Sequence, residues 1–147
     1  MLIIIGIILV VFSVAGYRYF KVYQLKEKIS KIPNESSITI FSYKRGEYDV
    51  GLILNKQTQL EDNDVNIFVQ KFLKLPLSYD KSYGKEKYYS YENDYEKIII
   101  YINTKLTLNL YINNGMYSLA VNSNHGYDSY KLDSNMGYQF YNWLLSQ

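Results

Sequence analysis

The side chains that most often carry chemistry are sparse in this chain. There is one histidine, His125, and no cysteine. Asp128 follows His125 closely, and serines and tyrosines surround the pair, so a nucleophile and base drawn from this stretch would make a small hydrolase. The spacing matches no nucleophile elbow, no His-Glu-x-x-His pair, no phosphate loop and no nucleotide-binding glycine pattern. A lone histidine within Asn-Ser-Asn-His-Gly-Tyr-Asp, residues 122–128, reads more simply as a solvated turn residue. Glu61, Asp62 and Asp64 offer the oxygen ligands that hard cations take, but lack the glycine and closing bidentate glutamate of a calcium loop. With no thiol and one imidazole, a zinc site has too few ligands. The expectation is a protein that is not an enzyme and uses no metal or other cofactor, with hydrolysis through His125 as the least favoured reading.

Tyrosine is the residue in excess, at 18 copies. Tyr79, Tyr83, Tyr88, Tyr89 and Tyr91 crowd the stretch from Leu77 to Asp94, whose pattern is the weakest in the chain. Residues 79–87 read as an exposed polar loop and a strand begins near Lys87. Tyrosine combines a large apolar ring with one polar handle, which suits contact surfaces. These five residues are the expected binding surface, with the outer sheet face at Thr107, Asn109 and Tyr111 as the second place to look. A flat arrangement of the rings fits a protein partner, and a concave one fits a small-molecule or glycan sensor. An AT-rich genome would also enrich tyrosine, lysine, isoleucine and asparagine.

The element that must position any such surface is the amino-terminal segment. Residues 2–16 carry no charge and one polar side chain, Ser13. That is slightly short of the ~20 apolar residues that cross a bilayer. Tyr17, Arg18, Tyr19, Phe20 and Lys21 extend it, with rings suited to the headgroup layer and charges that reach outward. The reading is a transmembrane helix that places residues 2–20 in the lipid bilayer and makes this a single-pass protein of the cell membrane. A cleaved signal peptide competes through Ser13-Val14-Ala15, but nothing basic precedes Leu2. Arg18, Lys21, Lys26, Lys28 and Lys31 follow the span against Glu27 alone, which by the positive-inside rule favours a cytoplasmic domain. A translocated domain is the alternative.

Beyond residue 31 the charge reverses, with 11 basic residues against 13 acidic ones. A nearly neutral domain of this kind lacks the electrostatic footprint of a nucleic-acid binder. The division expected is an anchor and basic stalk helix over residues 1–31 and one α+β domain over 32–147.

Within that domain, Val22, Leu25 and Ile29 continue the first helix, which stops before Pro33. Residues 37–55 read as a hairpin turning at Arg45-Gly46-Glu47, pairing Ile40 with Leu52 and Ile38 with Leu54. Val65, Phe68, Val69, Phe72 and Leu73 mark an amphipathic helix capped near Glu61. Ile98, Ile100 and Ile102, then Leu106, Leu108, Leu110 and Ile112, alternate as strands. Asn114-Gly115 supplies a type I′ turn that pairs Ile112 with Tyr117, Leu110 with Leu119 and Leu108 with Val121. Tyr130 to Leu132 form a short strand, and Asp133 caps a last helix bearing Met136, Phe140, Trp143 and Leu144. Leu60-Glu61-Asp62-Asn63 with Phe68 aligns on Leu132-Asp133-Ser134-Asn135 with Phe140, suggesting two ββα-like halves. The fold class is α+β: an antiparallel sheet of about 5–7 strands with two amphipathic helices on one face, behind a transmembrane helix. The function expected is a membrane-anchored, non-enzymatic interaction module, an accessory or immunity-type protein with a protein partner and no nucleic acid.

Overall fold

The computed structural model describes residues 2–45, 52–80, 95–103, 105–113, 115–123 and 126–147, with side chains described from Val10 onward except at Arg45, Tyr95, Asn113, Ser123, Gly126 and Tyr127. The elements are α1 (Leu2–Ser30), β1 (Ile38–Arg45), β2 (Leu52–Gln59), α2 (Asp62–Leu73), β3 (Leu77–Tyr79), β4 (Tyr95–Ile102), β5 (Leu106–Asn113), β6 (Met116–Ser123), β7 (Gly126–Leu132) and α3 (Ser134–Ser146). The seven strands form one antiparallel sheet in the order β2-β1-β4-β5-β6-β7-β3. The chain is therefore α+β, with three helices.

Alternation decides which side of the sheet is core. Ile40, Ile100, Leu108 and Val121 form one cross-strand row, and Ser42, Ile98, Leu110, Leu119 and Tyr130 form the next. All of these side chains are buried. In β5 and β6 the pairing is Ile112 with Tyr117, Leu110 with Leu119 and Leu108 with Val121, as the hydrophobic phase and the Asn-Gly turn require. Gly115 holds the left-handed φ of 73° that such a turn needs and that a β-carbon would oppose.

Helices α2 and α3 cover this inner face together. Phe68 and Phe140 bring their rings to 6.1 Å, and Phe72 and Trp143 complete the aromatic seam. Asp133 caps α3 by accepting hydrogen bonds from the Asn135 and Met136 amides at 3.0 and 3.2 Å. At α2, Glu61 occupies the cap position with no side-chain cap bond, and the Asp64 and Val65 amides bond to its carbonyl. At the opposite ends, lysines from other elements reach the final carbonyls: Lys26 donates to Leu73 O at 2.8 Å and Lys56 to Leu145 O at 3.3 Å. Positive charge there complements the helix dipole.

The first helix does two things. Its carboxyl half packs against α2 and β3, with Leu25 and Ile29 fully in the core. Its amino half leaves Val10, Val11, Phe12 and Val14 between 48% and 73% exposed. Among the described residues no helix is long and apolar enough to cross a membrane.

Three local expectations need correction. Strand β2 pairs Ile40 with Thr58, not Leu52, and a bulge between Ser42 and Tyr43 shifts the register. The register of β1 is set by β4, where Ile38 and Ile40 face Ile102 and Ile100, so edge strand β2 need not supply aliphatic partners. Its Ile53 and Leu54 are consequently about half exposed. Residues 77–79, taken for the start of a weakly patterned loop, form β3 on the far edge, because β7 leaves that edge open. The last strand runs from Gly126 and not Tyr130, so Asn122 and Ser123, expected in a polar loop, pair with Tyr127 and Gly126.

Gly137 generates a test of the packing. A β-carbon there would meet Cγ of the buried Tyr117 ring at 2.6 Å. Gly137→Ala raises helix propensity by about 1 kcal/mol yet is expected to lower stability by about 1–2 kcal/mol net, because overpacking costs more. Urea unfolding of the purified protein measures this. A stabilised variant would show that the ring yields freely.

Candidate functional site

Two sets of residues that the sequence treats separately meet in space. Tyr17 and Lys21, expected at the membrane interface, stand beside Tyr79, expected on the binding loop. Helical spacing puts Tyr17 and Lys21 one turn apart on the same face of α1. Strand β3 presents Tyr79, and its neighbour β7 presents Tyr130 directly opposite, with Asp128 two residues before on the same face.

The resulting contacts form a clasp. Lys21 donates to both Asp128 oxygens, Oδ1 at 3.2 Å and Oδ2 at 3.0 Å. The Tyr79 hydroxyl donates to Asp128 Oδ1 at 3.2 Å, and the Tyr130 hydroxyl donates to the Lys21 carbonyl at 3.2 Å. The Tyr79 ring stands edge-on to Tyr17 and Tyr130, at 5.8 and 5.5 Å, while Lys21 Nζ lies 5.8 Å from the ring centres of both Tyr17 and Tyr79. Below them Ser129 donates its hydroxyl to the Asp80 carbonyl, and the Asp80 amide bonds to Ser129 O at 3.0 Å. Burial, followed by Tyr17 and Asp128, pushes the Tyr79 phenol well above its usual range. Tyr130 is raised in the same sense, again mainly by burial and then by Asp128. Both phenols are hydrogen-bond donors at neutral pH.

Tyr79 is thus not part of an exposed recognition loop. It is 5% exposed and serves the junction between helix and sheet. Tyr83, Tyr88, Tyr89 and Tyr91 lie outside the described residues, as does His125. Of the membrane-flanking set, Arg18, Tyr19 and Phe20 point away from the domain, with Tyr19 84% exposed. The sequence reading sets Asp128 beside His125 and Tyr130 in a short strand, and brings neither to Lys21 and Tyr79. The only signal for them was the alternation of β7, visible once that strand is known to start at Gly126.

The outer sheet face is the second candidate. Its rows, read across β1, β4 and β5, are Thr39–Tyr101–Thr107, Phe41–Ile99–Asn109 and Tyr43–Lys97–Tyr111. Phe41 and Tyr101 meet at 5.5 Å edge to face, and Lys97 Nζ lies 5.2 Å above the Tyr111 ring. Asn109, expected on the open surface, is 5% exposed, whereas Tyr101 and Leu54 remain open to solvent. The solvent-exposed part of this face therefore lies toward β2, β1 and β4, one strand over from the expected position. Among the described residues no group of three or more His, Asp or Glu is placed to hold a metal ion.

The clasp makes two predictions. Asp128→Asn leaves the half-buried Lys21 without a counter-charge and should loosen α1 by about 1 kcal/mol, a value kept small by the partial exposure of both groups. Hydrogen exchange at amides 21–30 should accelerate while β4 to β6 stay protected; unchanged exchange would show that the apolar contacts of Leu25 and Ile29 hold the helix alone. Second, a phenol whose folded pKa is raised binds its proton more tightly folded than unfolded, so stability declines as pH climbs past the ordinary tyrosine value of about 10. Tyr79→Phe should flatten that alkaline decline in thermal melts, and an identical slope would contradict the burial argument.

The chain shows no match to any known protein family, to any curated protein or to any solved structure, so its role is argued from these contacts.

Proposed function

We propose that this protein is a membrane-anchored interaction module that works by contact and not by catalysis. One observation carries the reading: between Val10 and Val14 the first helix leaves its apolar side chains exposed. Val10, Val11, Phe12 and Val14 lie at successive angles around the helix, so no single domain face covers them all. The uncharged residues 2–9 precede them in a helix of 29 residues, about 43 Å long at 1.5 Å per residue. Exposed apolar surface of that extent has a bilayer as its natural solvent.

The clasp adds a mechanical consequence. Lys21 is committed to Asp128 and Tyr17 to Tyr79, so the headgroup contacts fall to Arg18, Tyr19 and Phe20. No flexible spacer then separates anchor from domain, and the sheet is held at the bilayer surface in a fixed attitude. Such rigidity suits a protein that presents one face to a neighbour. The face it presents, in this reading, is the outer sheet surface around Phe41, Tyr43 and Tyr101, whose aromatic content matches that of protein interfaces. The positive-inside rule favours the cytoplasmic side for this domain.

Substitution of the span tests the anchor. Charged side chains at a helix centre in lipid cost about 2.5–3.5 kcal/mol each, so Val10→Lys with Phe12→Lys should move the protein from the carbonate-resistant membrane fraction to the soluble one. Wild-type protein that is washed off membranes by carbonate would end the proposal.

A further inference from the structure

The sheet has two edges, and the chain finishes them differently. Strand β3 is three residues long and lies against α1, with Tyr79 held in the clasp. Strand β2, at the other end of the strand order, is eight residues long, and its side chains are exposed from Ile53 to Gln57 and again at Gln59. It contains no proline, and its one charged side chain, Lys56, is drawn to the Leu145 carbonyl of α3 at 3.3 Å. Folded proteins commonly blunt an open edge with proline, with outward charge or with a covering helix. Among the described residues none of these closes β2. A bulge opposite Ser42 and Tyr43 divides the edge into two runs, Leu52–Leu54 and Lys56–Gln59, without covering either.

What such an edge offers is backbone. The Leu60 amide donates to Ile38 O at 2.9 Å, and along an antiparallel pair alternate residues turn their N–H and C=O toward the partner. Thr58 and Lys56 therefore bond toward β1, while Gln57 and Gln59 turn their backbone groups outward. Among the described residues no backbone group meets them there. Donors and acceptors repeating at strand spacing are matched by another extended chain, the mode of strand addition. Side chains add selectivity. Leu54 stands in register with Tyr43 and Ile53 with Lys44, and both aliphatics are about half exposed.

Building on the reading of this protein as a contact module, we propose that β2 is extended by a strand of a different protein. The added segment is short and extended; it hydrogen-bonds to the outward groups of Gln57 and Gln59 and sets apolar side chains against Ile53 and Leu54. A second copy of this chain does not fit. Tyr17 meets Tyr79 on β3, Lys21 meets Asp128 on β7, and the chain next enters the sheet at β1. The first helix thus runs across the strands from the β3 edge inward, and its residues before Tyr17 continue past that edge. Pairing two β2 edges reverses this direction in the second copy, so its anchor leaves on the far side, away from the first bilayer. The same direction sets β2 at the end of the sheet remote from the anchor.

The full-length protein in nanodiscs tests this by NMR-detected hydrogen exchange. The probe is a capped peptide of alternating threonine and valine with a lysine at each end, and the control is the same peptide N-methylated at every threonine and valine. The probe should slow exchange at the Gln57 and Gln59 amides at least tenfold and saturably, leaving Thr58 and Lys56 as they were; the control should change none of the four. Gln57→Pro removes an outward donor that the sheet does not use, and should abolish the effect at Gln59 with thermal unfolding unchanged. Leu54→Lys leaves the backbone intact but charges the edge, and should weaken the response at least tenfold. Equal slowing by probe and control would overturn strand addition, as would no slowing at either amide. Gln57 and Gln59 amides already as slow as Thr58 without peptide would mean that the chain covers its own edge. Protection that grows with the number of copies per nanodisc would make a second copy the occupant, and either result sinks the proposal. Carbonate fractionation of the wild type reports on the anchored reading separately, so the failure of one is told from the failure of the other.

Discussion

A pleated sheet has two faces, and the helices of this chain cover one of them. Across β4, β5 and β6 the inward rows through Ile98 and Ile100 are wholly apolar, and α2, α3 and the carboxyl half of α1 deliver their apolar stripes to that side. Because side chains alternate along a strand, committing Ile98, Leu110 and Leu119 inward commits Lys97, Asn109, Tyr111 and Ser118 outward. The outer face is thus a by-product of the core, and its residue types are free to answer to something else.

The same economy shapes the first helix. Leu25 and Ile29 are core residues, so α1 belongs to the domain as much as to any anchor. A helix shared in this way transmits its orientation directly to the sheet. The clasp at Lys21 reinforces the connection with groups that cost little in water and gain from partial burial: an ion pair, two phenolic hydrogen bonds and three rings in edge contact. Individually these are modest. Together they bind the helix to β3 and β7, the edge of the sheet farthest from the β1–β2 hairpin.

Lysines at the carboxyl ends of α2 and α3 show a further pattern. Lys26 comes from α1 and Lys56 from β2, so each helix terminus is satisfied by a different element, and the termini cross-link the layers. The resemblance between the halves around Phe68 and Phe140 has a physical counterpart, since these two rings meet at the centre of the helix layer. Seven strands in the order observed do not divide into two equal ββα units, however, because β3 lies apart on the far edge and β4 and β5 fill the middle.

What could be read from residues alone was whatever depends on short-range periodicity. The alternation of residues 98–112, the register of β5 on β6, the Asp133 cap and the stripe from Val65 to Leu73 each carry their geometry within a dozen or so residues, and each stands in the structure as read. Local pattern also marked residues 2–16 as ill suited to water. Strand partners across the sheet were different. The register of β1 answers to β4, some 60 residues away, so the hairpin with β2 took a pairing that its own aliphatics did not favour. Strand β3 exists because β7 leaves an edge to fill, and Tyr79 is buried because Tyr17, Asp128 and Tyr130 arrive from distant positions to surround it. Periodicity determines which way a side chain points, and only the packing of non-adjacent elements decides what it meets there.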